Sequence, residues 1–442
     1  MIARHAPNGT GNRITILLPH HRQCSRTWQS NWRNHRRADI MSLDKLKPVL
    51  AGKLDQLAQT GTLKREERVI TGRLPPREGF GPRYFLRGYA DRAFLRMNSN
   101  AYLGLNHHPR VIEAEEKAAR RYGAGPGAVR FISGTFESHI RLEERLASFH
   151  KRQAAMLFSA AYATVMGVLP QLITNETLLI SDSLNHNSII NAIRLVQPAA
   201  KAIYEHLDTT HISDILEQHL GRVKRVIVTT DGVFSMRGDH AALDEISTIC
   251  ERYQERFPEG VMTVVDDSHG VGAFGISGRG TEEITAARAD ILIATLGKAL
   301  SVNGGYVVAD KTVIDYLRET SPFYIYSNPI TPSEAAAALE ALEILDSSEG
   351  AGLLRKIRDL AVRLRHGFQD RGYETLAGEH PIVPLLIRNT AKTKELVTRL
   401  FDLNILVIGL SYPVVPQGDE EIRFQISAEH TEKDIDYLIE SL

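Results

Sequence analysis

The chain contains very little cysteine and no excess of charge. Cys24 and Cys250 are the only cysteines among 442 residues, too few for a disulfide framework or a cysteine-rich zinc site, and their number fits a reducing compartment. Lysine plus arginine equals aspartate plus glutamate at 53 each, so the chain as a whole has no electrostatic bias toward nucleic acid or a membrane surface. We therefore expect neither partner, and we predict no metal site.

The sequence also lacks a convincing membrane-spanning run. Residues 154–175 carry no charged side chain and are nominally long enough to cross a bilayer. However, the stretch contains Ser159, Tyr162, Pro170 and Gln171, and charged amphipathic segments flank it. It predicts a buried strand that runs into a buried helix, and no stable insertion into a membrane.

Residues 1–40 are poor in acidic side chains. They contain seven arginines, four histidines, no lysine and a single acid, Asp39. An arginine-rich, acid-poor leader is typical of a mitochondrial transit peptide, but prolines and paired histidines interrupt the amphipathic pattern. We predict a disordered leader, or a start codon assigned too early, because a normal helical sequence opens at Met41. The predicted compartment is the cytoplasm, with the mitochondrial matrix as the alternative if the leader is a transit peptide.

After the leader, residues 41–97 predict an N-terminal arm that is helical at first and then loop-like through the prolines and glycines of residues 75–81. The rest of the chain is long enough for two folded domains. We place a large domain at residues 98–345 and a smaller C-terminal α+β domain at 346–442. An alanine-rich helix at 332–345 leads from the first to the second.

The large domain is predicted to be α/β, because apolar strand-like runs alternate with helical stretches. Examples of these runs lie at residues 225–230, 261–265, 291–295 and 306–309. Such alternation favours a mostly parallel central sheet covered on both faces. Ligands of these sheets bind beyond the carboxyl ends of the strands, which is where polar and glycine residues lie here.

Two of these strand ends carry residues suited to cofactor chemistry. In VVDDSHG at 264–270, an apolar strand delivers Asp266 and, three residues later, His269; a buried carboxylate that faces a pyridine nitrogen keeps it protonated and strengthens the ring as an electron sink. In ATLGKA at 294–299, burial would lower the pKa of Lys298 and free its amine to bond an aldehyde, and Thr295 could reach a phosphate oxygen. The alternatives are a strand-end turn and an exposed lysine, but neighbouring parallel strands would bring both ends to one crevice.

Other segments carry weaker signals. The turn SAAYA at 159–163 offers the amides of Ala161 and Tyr162 to an anion at a helix N-terminus; His186 could stack on a flat ring, Ser235 could donate a hydroxyl, and Arg423 could pair with a carboxylate. Each has an ordinary structural alternative: a strand–helix turn, a satisfied histidine, a glycine-containing turn and a surface salt bridge.

The glycine-rich segment at 122–127 does not predict a dinucleotide site, because Pro126 interrupts it and no strand precedes it.

Together these segments resemble the α-oxoamine synthases, a branch of the aspartate-aminotransferase-like (fold-type I) pyridoxal-phosphate enzymes. The resemblance runs from about residue 98 to the C-terminus. Its carriers, in order, are SNAYLGLNHHP at 99–109, RFISGT at 130–135, LNHNSII at 184–190, TDGVFSMRGD at 230–239, DDSHGVGAFG at 266–275, TLGKAL at 295–300 and IRFQISAEHT at 422–431. The sequence departs from the family at Ala161, where relatives usually carry glycine, and at residues 301–303.

The resemblance implies the cofactor pyridoxal 5'-phosphate and a role for each site residue. Lys298 would bond the cofactor, Asp266 would pair with its ring nitrogen, and His186 would stack on its ring. His269 and Ser235 would lie near its phenolic oxygen, with His269 also near the incoming acyl carbonyl. The phosphate would be held by Thr295, Ala161 and Tyr162, with Ser327 and Asn328 reaching it from the partner subunit of a homodimer, and the substrate carboxylate would be oriented by Asn100 and Arg423.

The implied activity is a pyridoxal-phosphate-dependent C-acyltransferase that condenses a small amino acid with an acyl-CoA and releases CoA. The sequences of RFISGT and TDGVFSMRGD most resemble the glycine C-acetyltransferase branch, which favours glycine and a short acyl chain. The alternatives are an 8-amino-7-oxononanoate synthase, which joins L-alanine to a pimeloyl thioester with decarboxylation, and a serine palmitoyltransferase-like enzyme. An aminotransferase or aldolase is disfavoured by the joint DDSH and IRFQISAEHT pattern, and a non-catalytic partner subunit by the presence of Lys298.

Overall fold

The computed structural model of the chain describes residues 40–60, 63, 67–412 and 414–442. The predicted leader, apart from its last residue, and Cys24 therefore lie outside the described residues. The chain divides into two units, Met1–Glu67 and Arg68–Leu442. In the first unit the helix predicted to open near Met41 begins at Ile40 and ends at Gln59.

The second unit contains the strands and the remaining helices. The strands are β1 Ile70–Leu74, β2 Arg83–Leu86, β3 Ala93–Arg96, β4 Ala154–Phe158, β5 Thr177–Asp182, β6 Ala200–Tyr204, β7 Arg225–Asp231, β8 Val261–Asp266, β9 Ile291–Thr295, β10 Gly305–Ala309, β11 Glu374–Thr375, β12 Ile382–Leu386, β13 Ile405–Leu406, β14 Ile408–Leu410 and β15 Glu421–Gln425. With Ile40–Gln59 as α1, the helices are α2 Pro109–Tyr122, α3 Glu137–Phe149, α4 Ala161–Leu172, α5 Asn187–Arg194, α6 Thr209–His219, α7 Leu243–Tyr253, α8 Thr281–Thr285, α9 Lys311–Thr320, α10 Pro322–Ile325, α11 Pro332–Leu345, α12 Ser348–Asp370, α13 Thr390–Asp402 and α14 Glu432–Glu440. Short turns of other helix types occur at Leu105–His107, Arg130–Gly134 and Gln254–Arg256.

A seven-stranded sheet forms the centre of the large domain. Its strand order is β4-β10-β9-β8-β7-β5-β6. β10 runs antiparallel to both of its neighbours, whereas the pairs β9–β8, β8–β7, β7–β5 and β5–β6 are parallel. The predicted mostly parallel sheet is confirmed, and the carboxyl ends of its parallel strands share one edge.

Helices cover both faces of this sheet, and most residues of its inner strands are buried, whereas the edge strand β6 is partly exposed. All six residues of β5 are buried. Because successive side chains of a strand point to opposite faces, Leu179 and Ile227 pack into one apolar cluster with residues of α4, while Leu178 and Val226 pack into another with residues of α6 and α7. This rigid layer positions the strand ends that are described below.

Two smaller sheets complete the second unit. The strands β11-β12-β15-β14 form an antiparallel C-terminal sheet, which agrees with the predicted α+β segment. The strands β1-β2-β3-β13 form the other sheet. The arm therefore contains short strands where the sequence suggested loop, because segments of four or five residues are too short to show a clear alternation. Among the described residues, no helix is both long and apolar enough to span a membrane.

Candidate active site

Acidic and hydroxyl side chains end four neighbouring strands of the central sheet. Asp182, Asp231, Asp266 and Thr295 are the last residues of β5, β7, β8 and β9. Asp231 and Asp266 are register partners in adjacent strands. The shared sheet edge therefore brings together the two segments, DDSH and TLGK, that the sequence assigned to one crevice.

Lys298 lies in the turn that follows β9 and is half-buried. Burial lowers the pKa of its amine to about 8, although the negative charges of Asp266 and Asp231 partly oppose this shift. A lysine in this environment has a much larger neutral, nucleophilic fraction near neutral pH than an exposed lysine. The exposed-lysine alternative does not describe this residue.

Two buried carboxylates stand beside this lysine. Asp266 is 6% exposed, and its Oδ1 accepts a hydrogen bond from the Ser268 amide at 3.2 Å. Asp231 is also buried, and both this burial and the charge of Asp266 raise its pKa well above the usual value. Oδ2 of Asp231 accepts from the His186 amide at 3.0 Å, while its buried Oδ1 has no hydrogen-bond partner among the described residues.

His186 stands at the start of α5, where its side chain caps the helix by accepting from the Ser188 amide. The residue keeps access to solvent, yet surrounding protein lowers the pKa of its ring, an effect that Asp266 opposes and Lys298 reinforces. The ring also lies near Tyr162, with centroids 6.3 Å apart. His186 thus shares the electrostatic environment of Asp266 and Lys298.

His269 is held on two sides by residues distant in sequence. Its Nδ1 lies 2.8 Å from the Tyr102 hydroxyl, and its backbone oxygen accepts from Nε2 of His380 at 2.9 Å. Burial, followed by the positive charges of Lys298 and Arg423, lowers the pKa of His269 well below the usual value. The ring is therefore neutral at neutral pH.

The predicted phosphate turn lies at the N-terminus of α4. Ala160 occupies the cap position and has no side-chain hydrogen bond to the helix, so the first amides of α4, from Ala161 onward, have no partner within the helix. Gly305 of β10 pairs with Phe158 of β4 on one side and with Thr295 of β9 on the other. This pairing brings the end of β9 beside the turn. The close approach depends on glycine, because a Cβ at Gly305 would stand 2.4 Å from the Ala161 nitrogen.

The remaining predicted contacts lie around the C-terminal strand β15. Nη1 of Arg423 donates to the Ser235 backbone oxygen at 2.7 Å, and its buried Nε has no partner among the described residues. Asn100 accepts a hydrogen bond from Gln425, two residues further along the same strand. The structure therefore brings Arg423, Ser235 and Asn100 to the site from three separate segments.

Ser327 and Asn328 follow the short helix α10, and Asn328 is exposed. Among the described residues, neither Ser327 nor Asn328 forms a hydrogen bond with any of the site residues named above. Their predicted role requires a second subunit and stays a prediction.

Sequence reasoning missed Tyr102, His380, Gln425 and the burial of Asp231. Tyr102 lies two residues after Asn100 in the segment that carries the resemblance, so its position could have raised it as a candidate. His380 had no such signal, because it is an isolated histidine that meets His269 only through the fold.

Comparison with known proteins identifies the family. The sequence profile described as "Aminotransferase class I and II" matches residues 92–442. The chain is 37% identical over 354 residues to 8-amino-7-oxononanoate synthase of Geotalea daltonii, an alignment that covers 79% of this chain and 88% of the relative. It is 36% identical over 403 residues to the mitochondrial 2-amino-3-ketobutyrate coenzyme A ligase of Bos taurus, covering 90% and 92% of the two chains.

Solved structures show the same fold. Serine palmitoyltransferase of Sphingomonas wittichii superposes with a TM-score of 0.80 at 25% identity and covers 90% of this chain and 96% of its own. A structure of SPT with PLP has a TM-score of 0.78 at 25% identity and covers 90% and 97%.

The residues present fit pyridoxal phosphate. The uncapped N-terminus of α4 beside Thr295 suits a phosphate group, Lys298 has the lowered pKa of an amine that bonds an aldehyde, and Asp266 supplies a buried acid at the neighbouring strand end. At the same edge of the sheet, the buried Asp231 Oδ1 and Ser268 Oγ have no hydrogen-bond partners among the described residues. The chain therefore belongs to the class I and II aminotransferase family and, within it, is a pyridoxal-phosphate-dependent α-oxoamine synthase, an acyltransferase.

Proposed function

We propose that the enzyme condenses glycine with a short-chain acyl-CoA, releasing CoA and a 2-amino-3-keto acid. The chemistry rests on one observation, the half-buried Lys298 of lowered pKa next to the buried Asp266. The choice of glycine rests on the sequence of two segments, RFISGT at 130–135 and TDGVFSMRGD at 230–239. Relatives named 2-amino-3-ketobutyrate coenzyme A ligase at 36% identity agree with this choice.

Lys298 has two proposed tasks. It holds the cofactor through its Nζ, and when that nitrogen is free it is the general base that removes the α-proton of the amino acid. The bound cofactor supplies an electron-withdrawing ring that acidifies this proton. A pKa of about 8 suits the base, because a useful fraction of the amine is neutral near neutral pH.

We assign cofactor binding to residues from several elements. Asp266 would keep the ring nitrogen protonated, His186 would pack against the ring, and Ser235 would donate to the phenolic oxygen. Thr295 and the amides of Ala161 and Tyr162 would bind the phosphate. The support for the phosphate contacts is the close approach of β10 to the N-terminus of α4.

His269 would stabilise the negative charge that develops on the acyl oxygen during attack. With Tyr102 as donor, Nδ1 of the neutral ring accepts at 2.8 Å and the ring proton lies on Nε2. That proton is then free to donate to the acyl oxygen, in the manner of an oxyanion hole. Arg423 and Asn100 would orient the substrate carboxylate; the support for Arg423 is its buried guanidinium, whose Nε has no hydrogen-bond partner among the described residues.

A second candidate is the condensation of L-alanine with a pimeloyl thioester. Relatives named 8-amino-7-oxononanoate synthase, at 37% and 38% identity, favour it. A serine palmitoyltransferase-like activity is the third candidate and has structural support at 25% identity.

The discriminating experiment is a matrix of glycine, L-alanine and L-serine against acetyl-, pimeloyl- and palmitoyl-CoA, with thiol release as the readout. We expect the highest kcat/KM for glycine with acetyl-CoA. A preference for alanine with pimeloyl-CoA, or for serine with palmitoyl-CoA, would replace the glycine proposal with that candidate. Formation of a keto acid without thiol release would exclude acyl transfer as the reaction of this enzyme.

We further propose a homodimer in the cytoplasm, in which Ser327 and Asn328 complete the site of the partner subunit. The exposure of Asn328 and of neighbouring Tyr326, 79% exposed, leaves this segment free to contact a second copy. The support for the cytoplasm is the low cysteine content, and the mitochondrial matrix is the alternative if residues 1–40 are a transit peptide.

A further inference from the structure

His206 lies just after β6, and both of its ring nitrogens contact carboxylates. Nδ1 is 3.1 and 3.3 Å from the two oxygens of Asp182, and Nε2 is 3.3 Å from Oδ2 of Asp239. A carboxylate can only accept. Both contacts therefore require a hydrogen on each ring nitrogen, which makes His206 a cation.

The two carboxylates belong to different segments at the sheet edge. Asp182 ends β5, and its Oδ1 accepts from the Leu184 amide at 2.8 Å, which shapes the turn that leads to His186. Asp239 closes the loop at 232–240 that carries Ser235, where its backbone oxygen accepts from the Phe234 amide at 2.9 Å.

The packing at this point is close. The Phe234 ring meets the His206 ring edge-on, with centroids 4.4 Å apart. Asp239 Oδ2 is also bonded by Nε of Arg237 at 2.6 Å, while its buried Oδ1 has no partner among the described residues. Asp239 therefore depends on two cations to offset its burial, and one of them is His206.

We propose that His206 is a positioning residue for the cofactor, whose imidazolium ties the turn that carries His186 to the loop that carries Ser235. It acts through those two residues and does not itself touch the cofactor. This inference rests on the proposed roles of His186 and Ser235.

The tie depends on pH. The charged groups around the ring are Asp182 from β5 and Asp239 with Arg237 from the loop, and Tyr204 lies against Asp182. Burial acts to lower the pKa of His206, but hydrogen bonds to Asp182 and Asp239 outweigh it and raise the pKa to about 9. This value lies above the ordinary 6.5. The ion pairs of His206 with Asp182 and Asp239 are therefore fully formed below pH 6.5 and are lost as the pH rises through about 9.

The test uses the full-length enzyme and measures pyridoxal phosphate affinity against pH for the unchanged protein and His206→Asn. We expect affinity at pH 7 to fall roughly tenfold in the variant, as for one lost charge-assisted hydrogen bond. The difference between the two proteins should vanish above pH 9. His219→Asn is the matched control, because His219 contacts a backbone oxygen of its own helix and should bind as the unchanged protein does at every pH.

Equal affinity of His206→Asn and the unchanged enzyme at pH 7, or a difference that persists unchanged above pH 9, would overturn the proposal. If the variant does not fold, nitrogen NMR of the unchanged enzyme decides the matter: two protonated ring nitrogens at pH 7.5 support the tie, and a neutral ring refutes it. None of these readouts depends on glycine or acyl-CoA, so failure of the proposed substrates would leave the result intact.

Discussion

At the scale of single residues, burial decides which groups can carry the chemistry. Lys298 is placed where its ammonium form loses hydration, and the same edge of the sheet holds two acids in adjacent strands. Both acids accept a hydrogen bond from a backbone amide, but burial and the charge of Asp266 raise the pKa of Asp231 well above its usual value. We assign the ring nitrogen of the cofactor to Asp266.

The pKa of Lys298 leads to a prediction about cofactor uptake. Only the neutral amine attacks an aldehyde, so the rate at which cofactor-free enzyme takes up pyridoxal phosphate should rise as pH increases through about 8. Stopped-flow absorbance at a series of pH values measures this rate. A rate that climbs only near the ordinary lysine value of 10.5 would show that the amine is not perturbed.

The hydrogen bond between Tyr102 and His269 leads to a second prediction. Tyr102→Phe removes the hydroxyl at 2.8 Å from Nδ1 and should lower kcat for thiol release by about tenfold, the effect of one buried hydrogen bond. The KM for the amino acid should change little, because Arg423 is untouched. Tyr437→Phe is the control, since its hydroxyl bonds the backbone oxygen of Leu403, away from the site; equal kcat in both variants would contradict the proposed role of Tyr102.

At the scale of elements, the phosphate turn depends on how closely β10 approaches α4. A Cβ at Gly305 would stand 2.4 and 2.5 Å from the nitrogen and Cα of Ala161 and 2.6 Å from Thr164 Oγ1. Two of these three atoms are backbone, so the start of the helix must move to admit a side chain. The antiparallel strand β10, which interrupts an otherwise parallel sheet, would therefore shape the proposed phosphate site.

Gly305→Ala should weaken pyridoxal phosphate binding at least tenfold and destabilise the protein by about 1–3 kcal/mol, as overpacking of a tight contact does. Equilibrium cofactor titration and denaturant unfolding measure the two effects. Gly352→Ala makes the same change within α12 at a site with open space around the new methyl group, and it should stabilise the protein by about 0.5–1 kcal/mol. Normal cofactor affinity in Gly305→Ala would mean that the turn does not bind phosphate.

At the scale of the whole molecule, local sequence patterns predicted the helices and strands whose formation depends on local interactions. The helix predicted at 332–345 is observed as Pro332–Leu345, and the uncharged stretch at 154–175 contains a buried strand and a helix, as expected. Contacts between distant segments were not predictable in this way. Tyr102 and His269 are 167 positions apart, and no local pattern in either segment indicates that the two side chains are in contact.

The proposed dimer can be tested by complementation. Lys298→Ala and Asn328→Ala homodimers should each be inactive or nearly so, but mixed dimers would contain one site with both residues intact. After unfolding and refolding together, random pairing should restore about a quarter of normal activity. Thiol release measures the recovery, and a mixture no more active than its components would exclude a site shared in this way.

The most direct test of the account is the covalent link between Lys298 and the cofactor. The enzyme loaded with pyridoxal phosphate is treated with borohydride, which reduces the carbon–nitrogen double bond to a stable amine, and is then mapped by peptide mass spectrometry, with Lys298→Ala as the blank. We predict one labelled lysine, Lys298, and no label at this peptide in the variant. A label on another lysine, or unchanged labelling in Lys298→Ala, would contradict the account.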